Sequence, residues 1–158
     1  MKFYAGIGSR STPPEECAKL TRIAEILERR GYVLRSGGAE GADKAFEAGV
    51  KDPTNKIILR PKHSTADAEK IAASIHPAWS MCNEYARQLH GRNAQLVLGQ
   101  KLDQHADFVL AWTYDGADRG GTRTGLVLAK LWNIPRFNLA KPEDAKAFLE
   151  FLNNVEAN

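Results

Sequence analysis

The sequence has little of what marks a specialised class. Only two of its 158 residues are cysteine, Cys17 and Cys82, far apart and with no CxxC or metal-like spacing. That excludes a disulfide framework and points to a reducing compartment. Its apolar runs, such as Phe108 to Trp112, are far too short to cross a bilayer. The opening residues Met1-Lys2-Phe3-Tyr4-Ala5-Gly6 contain no apolar core of a secretory signal. A soluble, cytoplasmic chain without a membrane partner is expected. Charge of either sign is not in large excess: 22 Lys and Arg against 19 Asp and Glu leave +3. That balance permits a polyanionic partner without demanding one. Repeats, low-complexity tracts and linkers are absent. What remains, 43% hydrophobic and 26% charged residues, is ordinary globular composition. The length fits a single domain over 1–158.

Short apolar runs alternate with helical periods. Phe3 to Ile7, Tyr32 to Leu34, Ile57 to Leu59, Phe108 to Trp112 and Pro135 to Leu139 read as strands. Thr12-Pro13-Pro14-Glu15 reads as a helix start, with Thr12 as cap, Pro13 at the first helical position and Glu15 completing a capping box. Leu20, Ile23, Ala24 and Leu27 continue that helix until Gly31. Further helices are expected over Ala42 to Ala48, Thr124 to Leu131 and Pro142 to Val155, the last with Ala145, Phe148, Leu149 and Leu152 on one side. The stretch from about 61 to 99 reads as a helical insertion, with helices near Ala66 to Ser74 and Met81 to Leu89 broken at His76-Pro77. Strands separated by helices imply βαβ units. The expected fold is therefore α/β: a Rossmann-like, doubly wound, mainly parallel sheet of about five strands in three α/β/α layers.

Familiar nucleotide motifs are missing. Gly6-Ile7-Gly8 starts a dinucleotide fingerprint, but Ser11 stands at its third glycine and Arg35-Ser36 ends the second strand without an acid. There is no Walker A tripeptide, no HExxH and no G-x-S-x-G nucleophile elbow. His63, His76, His90 and His105 are isolated along the chain, so neither a metal nor a cofactor is expected. What is present is a set of glycine turns after strands one, two and four, each opening a helix. Such turns expose backbone N–H groups beside a helix N-terminus and suit an anion. Gly8, Ser9 and Arg10 form the first turn. Ser36, Gly37, Gly38 and Gly41 form the second, followed by Asp43. Gly120, Gly121, Thr122, Arg123 and Thr124 form the third, after Arg119. Hydroxyls and cations thus flank a candidate phosphate site. Arg92 is a candidate phosphate clamp, since guanidinium grips phosphate bidentately, with Asn93 beside it. Trp112 ends a strand at the ligand edge, where it can stack on a base or pack in the core. Trp79, Trp132 and Phe137 read as core or as a dimer face.

These residues resemble a family. Ser36-Gly37-Gly38-Ala39-Glu40-Gly41-Ala42-Asp43 resembles the SGGARGID motif of the DprA/Smf proteins, and Gly91 to Gly99 is similar to their RNRIIAGL segment. Phe108-Val109-Leu110-Ala111 with Gly120 to Gly125 resembles their strand and SGSLITA turn, and Gly6 to Arg10 their first-strand GSR. The four matches fall in family order and together span nearly the whole chain. The wider group is the SLOG superfamily, which also holds the LOG-type phosphoribohydrolases. The chain reads as the Rossmann core alone, like small stand-alone DprA-like proteins of phage or prophage type. For the DprA branch the resemblance implies single-stranded DNA binding and often a homodimer. For the LOG branch it implies cleavage of the base–ribose bond of a nucleoside 5′-monophosphate. There Arg92 takes the place of the LOG arginine, but Val127 stands where that motif carries its catalytic glutamate, and Arg119 where it carries proline. Glycoside cleavage needs a carboxylate; Asp43, Glu40, Asp115 and Asp118 are the candidates. The expected function is binding of a nucleotide phosphate or single-stranded nucleic acid. The alternative is a LOG-like N-glycoside hydrolase, with Arg92 and Asp43 as candidate catalytic residues, and a third is a sensor or scavenger of a nucleotide signal.

Overall fold

A computed structural model describes residues 1–157 of the chain. Among them, β1 (Lys2–Gly8), β2 (Tyr32–Ser36), β3 (Lys56–Ile58), β4 (Phe108–Trp112) and β5 (Arg136–Asn138) form one sheet. Its order is β3-β2-β1-β4-β5 and every pairing is parallel. All five residues of β2 and of β4 are buried, as are the five interior residues of β1. Strands covered on both faces need apolar side chains in both directions. That is why β4 reads Phe-Val-Leu-Ala-Trp without alternation.

Six helices cover the sheet: α1 (Pro14–Arg29), α2 (Ala42–Gly49), α3 (Ala66–Ile75), α4 (Glu84–Leu98), α5 (Arg123–Leu131) and α6 (Pro142–Ala157). Two cores result. On one face Tyr4, Leu34 and Phe108 meet Leu20 and Leu27 of α1, Phe46 of α2, and Phe148 and Leu152 of α6. On the other, Ala5, Ile7 and Val109 meet Val97 and Leu98 of α4 and Leu126 of α5. Helix α3 lies outside, against α4. The chain runs outward through β2 and β3, returns to β4 beside β1, and continues to β5. This reversal puts α1, α2 and α6 on one face and α4 and α5 on the other, and makes a Rossmann-like three-layer fold. None of the described helices is long and apolar enough to cross a membrane.

Four expectations need correction. Thr12 does not cap α1: its hydroxyl donates to the Ser9 carbonyl at 2.6 Å. Pro13 is the N-cap, with no side-chain cap bond, and Pro14 opens the helix. The helix expected to end at Leu89 continues to Leu98, through Gly91. A helical glycine costs about 1 kcal/mol against alanine, but here Gly91 is buried where a side chain would strike Ser64 and Glu69. In α6, Leu149 is 60% exposed, and Phe148, Phe151 and Leu152 make the packed face. Finally, Trp112 is only 6% exposed and belongs to the α1/α2/α6 core. Its ring is committed to packing and is not a stacking platform.

Candidate functional site

The strand order reverses between β1 and β4, and a cavity of about 750 Å³ opens beyond their carboxyl ends. The loops after β1 and β4, Asp43 of α2, the middle of α4 and the turn before α5 all line it. Tyr114 closes the rim by donating its hydroxyl to the Ser11 carbonyl at 2.8 Å.

The second glycine turn behaves differently from the expectation. Two of its backbone N–H groups are already taken by the chain itself. Those of Ala39 and Gly37, with that of Gly8 from β1, bear on the carboxylate of Asp43; the Ala39 contact measures 3.4 Å. The chain's own acid fills this nest. Ser36 is also spent inside: it is fully buried, and its hydroxyl donates to the Gly6 carbonyl at 2.6 Å.

Asp43 is 6% exposed and lines the cavity. Burial raises its pKa from 3.8 to about 6, against the pull of Arg92 and the three amides. The folded state therefore keeps a proton that the unfolded chain loses near pH 4. The resulting stability is complete below that pH and is lost as pH rises through about 6. At 1.36 kcal/mol per pKa unit, the loss is about 3 kcal/mol. Asp43→Asn does not titrate. Its unfolding free energy relative to wild type, measured by urea titration, should rise by about 2 kcal/mol between pH 4 and pH 7. A constant difference would show that Asp43 is not perturbed.

Arg92 crosses from α4 toward the second turn, 6% exposed. Its Nη1 donates to the carbonyls of Gly37 at 3.1 Å and Leu59 at 2.8 Å, and its Nε to Asn93 Oδ1 at 2.9 Å. The two-pronged grip expected from sequence is thus partly used on the chain itself. Nη2 has no acceptor among the described residues. Burial pushes the guanidinium below its ordinary range; Asp43 opposes this, while Arg60 and Arg10 reinforce it. Three arginines therefore crowd a site whose one lining carboxylate is itself held partly protonated. Asn93 fixes the third turn by donating to the Gly121 carbonyl at 2.7 Å.

That third turn remains open. Gly120, Gly121 and Thr122 line the cavity, and nothing lies within 4 Å of where a Gly120 side chain would start. Arg119 stands beside it, joined only loosely to Asp115 at 3.8 Å. Arg123 turns away and donates to the Ile75 carbonyl at 3.1 Å. Thr124 is 2% exposed, its hydroxyl 2.8 Å from His90 Nδ1. The remaining acids are elsewhere: Glu40 pairs with Lys44 at 2.6 Å and Asp118 with Arg136 at 2.7 Å. Gly8, Ser9, Arg10, Asp43, Arg92 and Asn93 are brought together at the cavity, whereas Ser36, Trp112, Arg123 and Thr124 are not.

Sequence reading missed five residues. Arg60 follows β3 at the ligand edge, so the edge rule could have found it; it donates to the Gly38 carbonyl at 3.0 Å. Tyr85, Tyr114, His76 and His90 line the cavity, but only the packing of α3, α4 and the β4 loop reveals this.

The fold and its cleft define a Rossmann-like α/β protein with a cavity at the sheet's switch point. No family model matches the sequence, and no curated protein does. Among solved structures the chain is similar to DNA processing protein A from Helicobacter pylori, described for its single-stranded DNA binding mode. The two are 21% identical with a TM-score of 0.57, over 94% of this chain and 72% of that one. The chain therefore has a DprA-like fold.

Proposed function

We propose that the cleft binds single-stranded DNA, or the phosphate of a nucleotide, at the open turn before α5. The observation that carries this reading is the crowding of Arg10 and Arg60 on Arg92, beside a cavity whose one lining carboxylate, Asp43, has its pKa raised to about 6. Like charges held together repel, and an anion entering among them relieves that cost. A helix N-terminus adds a partial positive charge and free N–H groups. Exposed Tyr85 and Tyr114 at the cavity offer rings for bases. The fold's likeness to a protein described for single-stranded DNA binding supports the same reading. A cytoplasmic homodimer belongs to this reading, through the DprA resemblance, and sedimentation equilibrium tests the dimer.

The test is fluorescence anisotropy of a labelled oligo-dT at two salt concentrations. Affinity should fall steeply with salt, by a logarithmic slope of about 0.7 per phosphate contact. Arg10→Glu and Arg119→Glu, both at exposed positions, should each weaken binding about tenfold and flatten the slope. Affinity independent of salt and of both changes would overturn the reading. Anion affinity should also fall as pH rises through about 6, where Asp43 ionises.

A second reading has one observation in its favour. Of the four candidate acids only Asp43 lines the cavity, with a pKa of about 6 suited to proton transfer. An N-glycoside hydrolase in this cleft would depend on it. Release of free base from nucleoside 5′-monophosphates, abolished in Asp43→Asn, would establish that activity.

A further inference from the structure

We propose that His76, Cys82 and His90 bind a zinc-class divalent ion in the wall of the cleft. The three are separate in sequence, and only the packing of the α3–α4 connection against α4 assembles them. Their ligand atoms all lie within 4.8 Å of one another. Cys82 Sγ stands 3.8 Å from His76 Nε2, and the two imidazole centroids are 4.5 Å apart. A tetrahedral zinc ion places its nitrogen and sulfur ligands roughly 3.3–3.8 Å from one another. The cluster needs to contract by about 1.5 Å at most, and all three side chains are partly exposed and able to turn.

The donor set selects the ion. Two imidazoles and a thiolate, with no carboxylate, suit zinc and its neighbours and exclude magnesium and calcium, which take oxygen ligands. His90 already has the support expected of a zinc ligand. Its Nδ1 is 2.8 Å from Thr124 Oγ1, which orients the ring and leaves Nε2 for the metal. His76 is less prepared. Its Nδ1 accepts from the Ala78 N–H at 3.0 Å, so metal on Nε2 requires the ring to give up that bond. Arg123, which reaches the Ile75 carbonyl nearby, also opposes a cation. The site should therefore bind more weakly than a closed four-ligand zinc site. Three protein ligands leave one tetrahedral position open. His76 and His90 both line the cavity, so that position would take water or an oxygen of the cleft's occupant. The alternative is that the two histidines and Cys82 only pack around Trp79, whose ring lies 5.9 Å from that of His76.

The experiment uses the full chain, stripped with a chelator and titrated with cobalt(II) alone, which requires no knowledge of the cleft's ligand. Zinc-class binding should give one ion per chain and a thiolate-to-cobalt charge-transfer band, both displaced by zinc. Cys82→Ser should abolish the band. Thr124→Val, which keeps the side chain's shape, should weaken the metal at least tenfold. Circular dichroism confirms that each variant is folded. Absence of the band at cobalt well above protein concentration would overturn the proposal, leaving the cluster as packing. So would a band that survives Cys82→Ser and vanishes with Cys17→Ser.

Discussion

Arg92→Ala is expected to lower the unfolding free energy by about 3–5 kcal/mol and to weaken anion binding ten- to hundredfold. The two effects have separate origins on one side chain. Nη1 satisfies the carbonyls of Gly37 and Leu59, tying the second turn to the end of β3. Removing it leaves both acceptors unpaired and takes away the cation that opposes the raised pKa of Asp43. Arg92 lines the cavity and its Nη2 has no acceptor among the described residues, so the loss of that nitrogen should fall on the ligand. Urea unfolding reads the first effect and oligo-dT anisotropy, under folded conditions, the second. Arg92→Lys separates them further. A single ammonium can replace one carbonyl bond but not the planar set. It should recover part of the stability and less of the binding. Wild-type stability and affinity in Arg92→Ala would remove this residue from the site.

Gly41→Val should be worse still for the fold, by about 4 kcal/mol or more. Gly41 precedes α2 with φ +82° and ψ −125°, a conformation closed to side chains. A Cβ there would also run into the carbonyls of Ser9 and Arg10. These are backbone atoms and cannot swing aside. The Ser9 carbonyl also accepts the first α2 amide, Ala42 N, at 3.1 Å. Moving it displaces the loop that carries Arg10 to the cavity. Gly38→Val makes the contrast. Its φ is +69°, but the atoms in the way belong to the flexible guanidinium of Arg60. The expected loss is about 1–3 kcal/mol, mostly backbone strain, with severalfold weaker binding as Arg60 leaves the Gly38 carbonyl. Thermal unfolding of the two variants side by side tests the ordering. Equal stabilities would contradict it.

The sheet was legible because parallel strands buried on both faces are written as unbroken apolar runs. Phe108 to Trp112 was read with both its ends correct for that reason. The glycine turns located the site for a similar reason: they fall where strands end. What each turn does was not legible. A glycine-rich turn looks equally suited to an external anion or to an internal one, and only the fold shows Asp43 curling back into the second nest while the third stays open. Trp112 stayed open between base and core because position at a strand end does not say which face the ring takes. The continuation of α4 through Gly91 depends on the close approach of Ser64 and Glu69, which no local pattern records. The meeting of His76, Cys82 and His90 lay beyond sequence for the same reason.

The most direct measurement is a crystal structure of the chain with a short oligo-dT. A phosphate is expected in the cleft between β1 and β4, within hydrogen-bond reach of Arg92 Nη2 and of the backbone amides at Gly120 and Gly121, with Asp43 keeping its own nest. DNA bound on another face, with the cleft holding no phosphate, would contradict it.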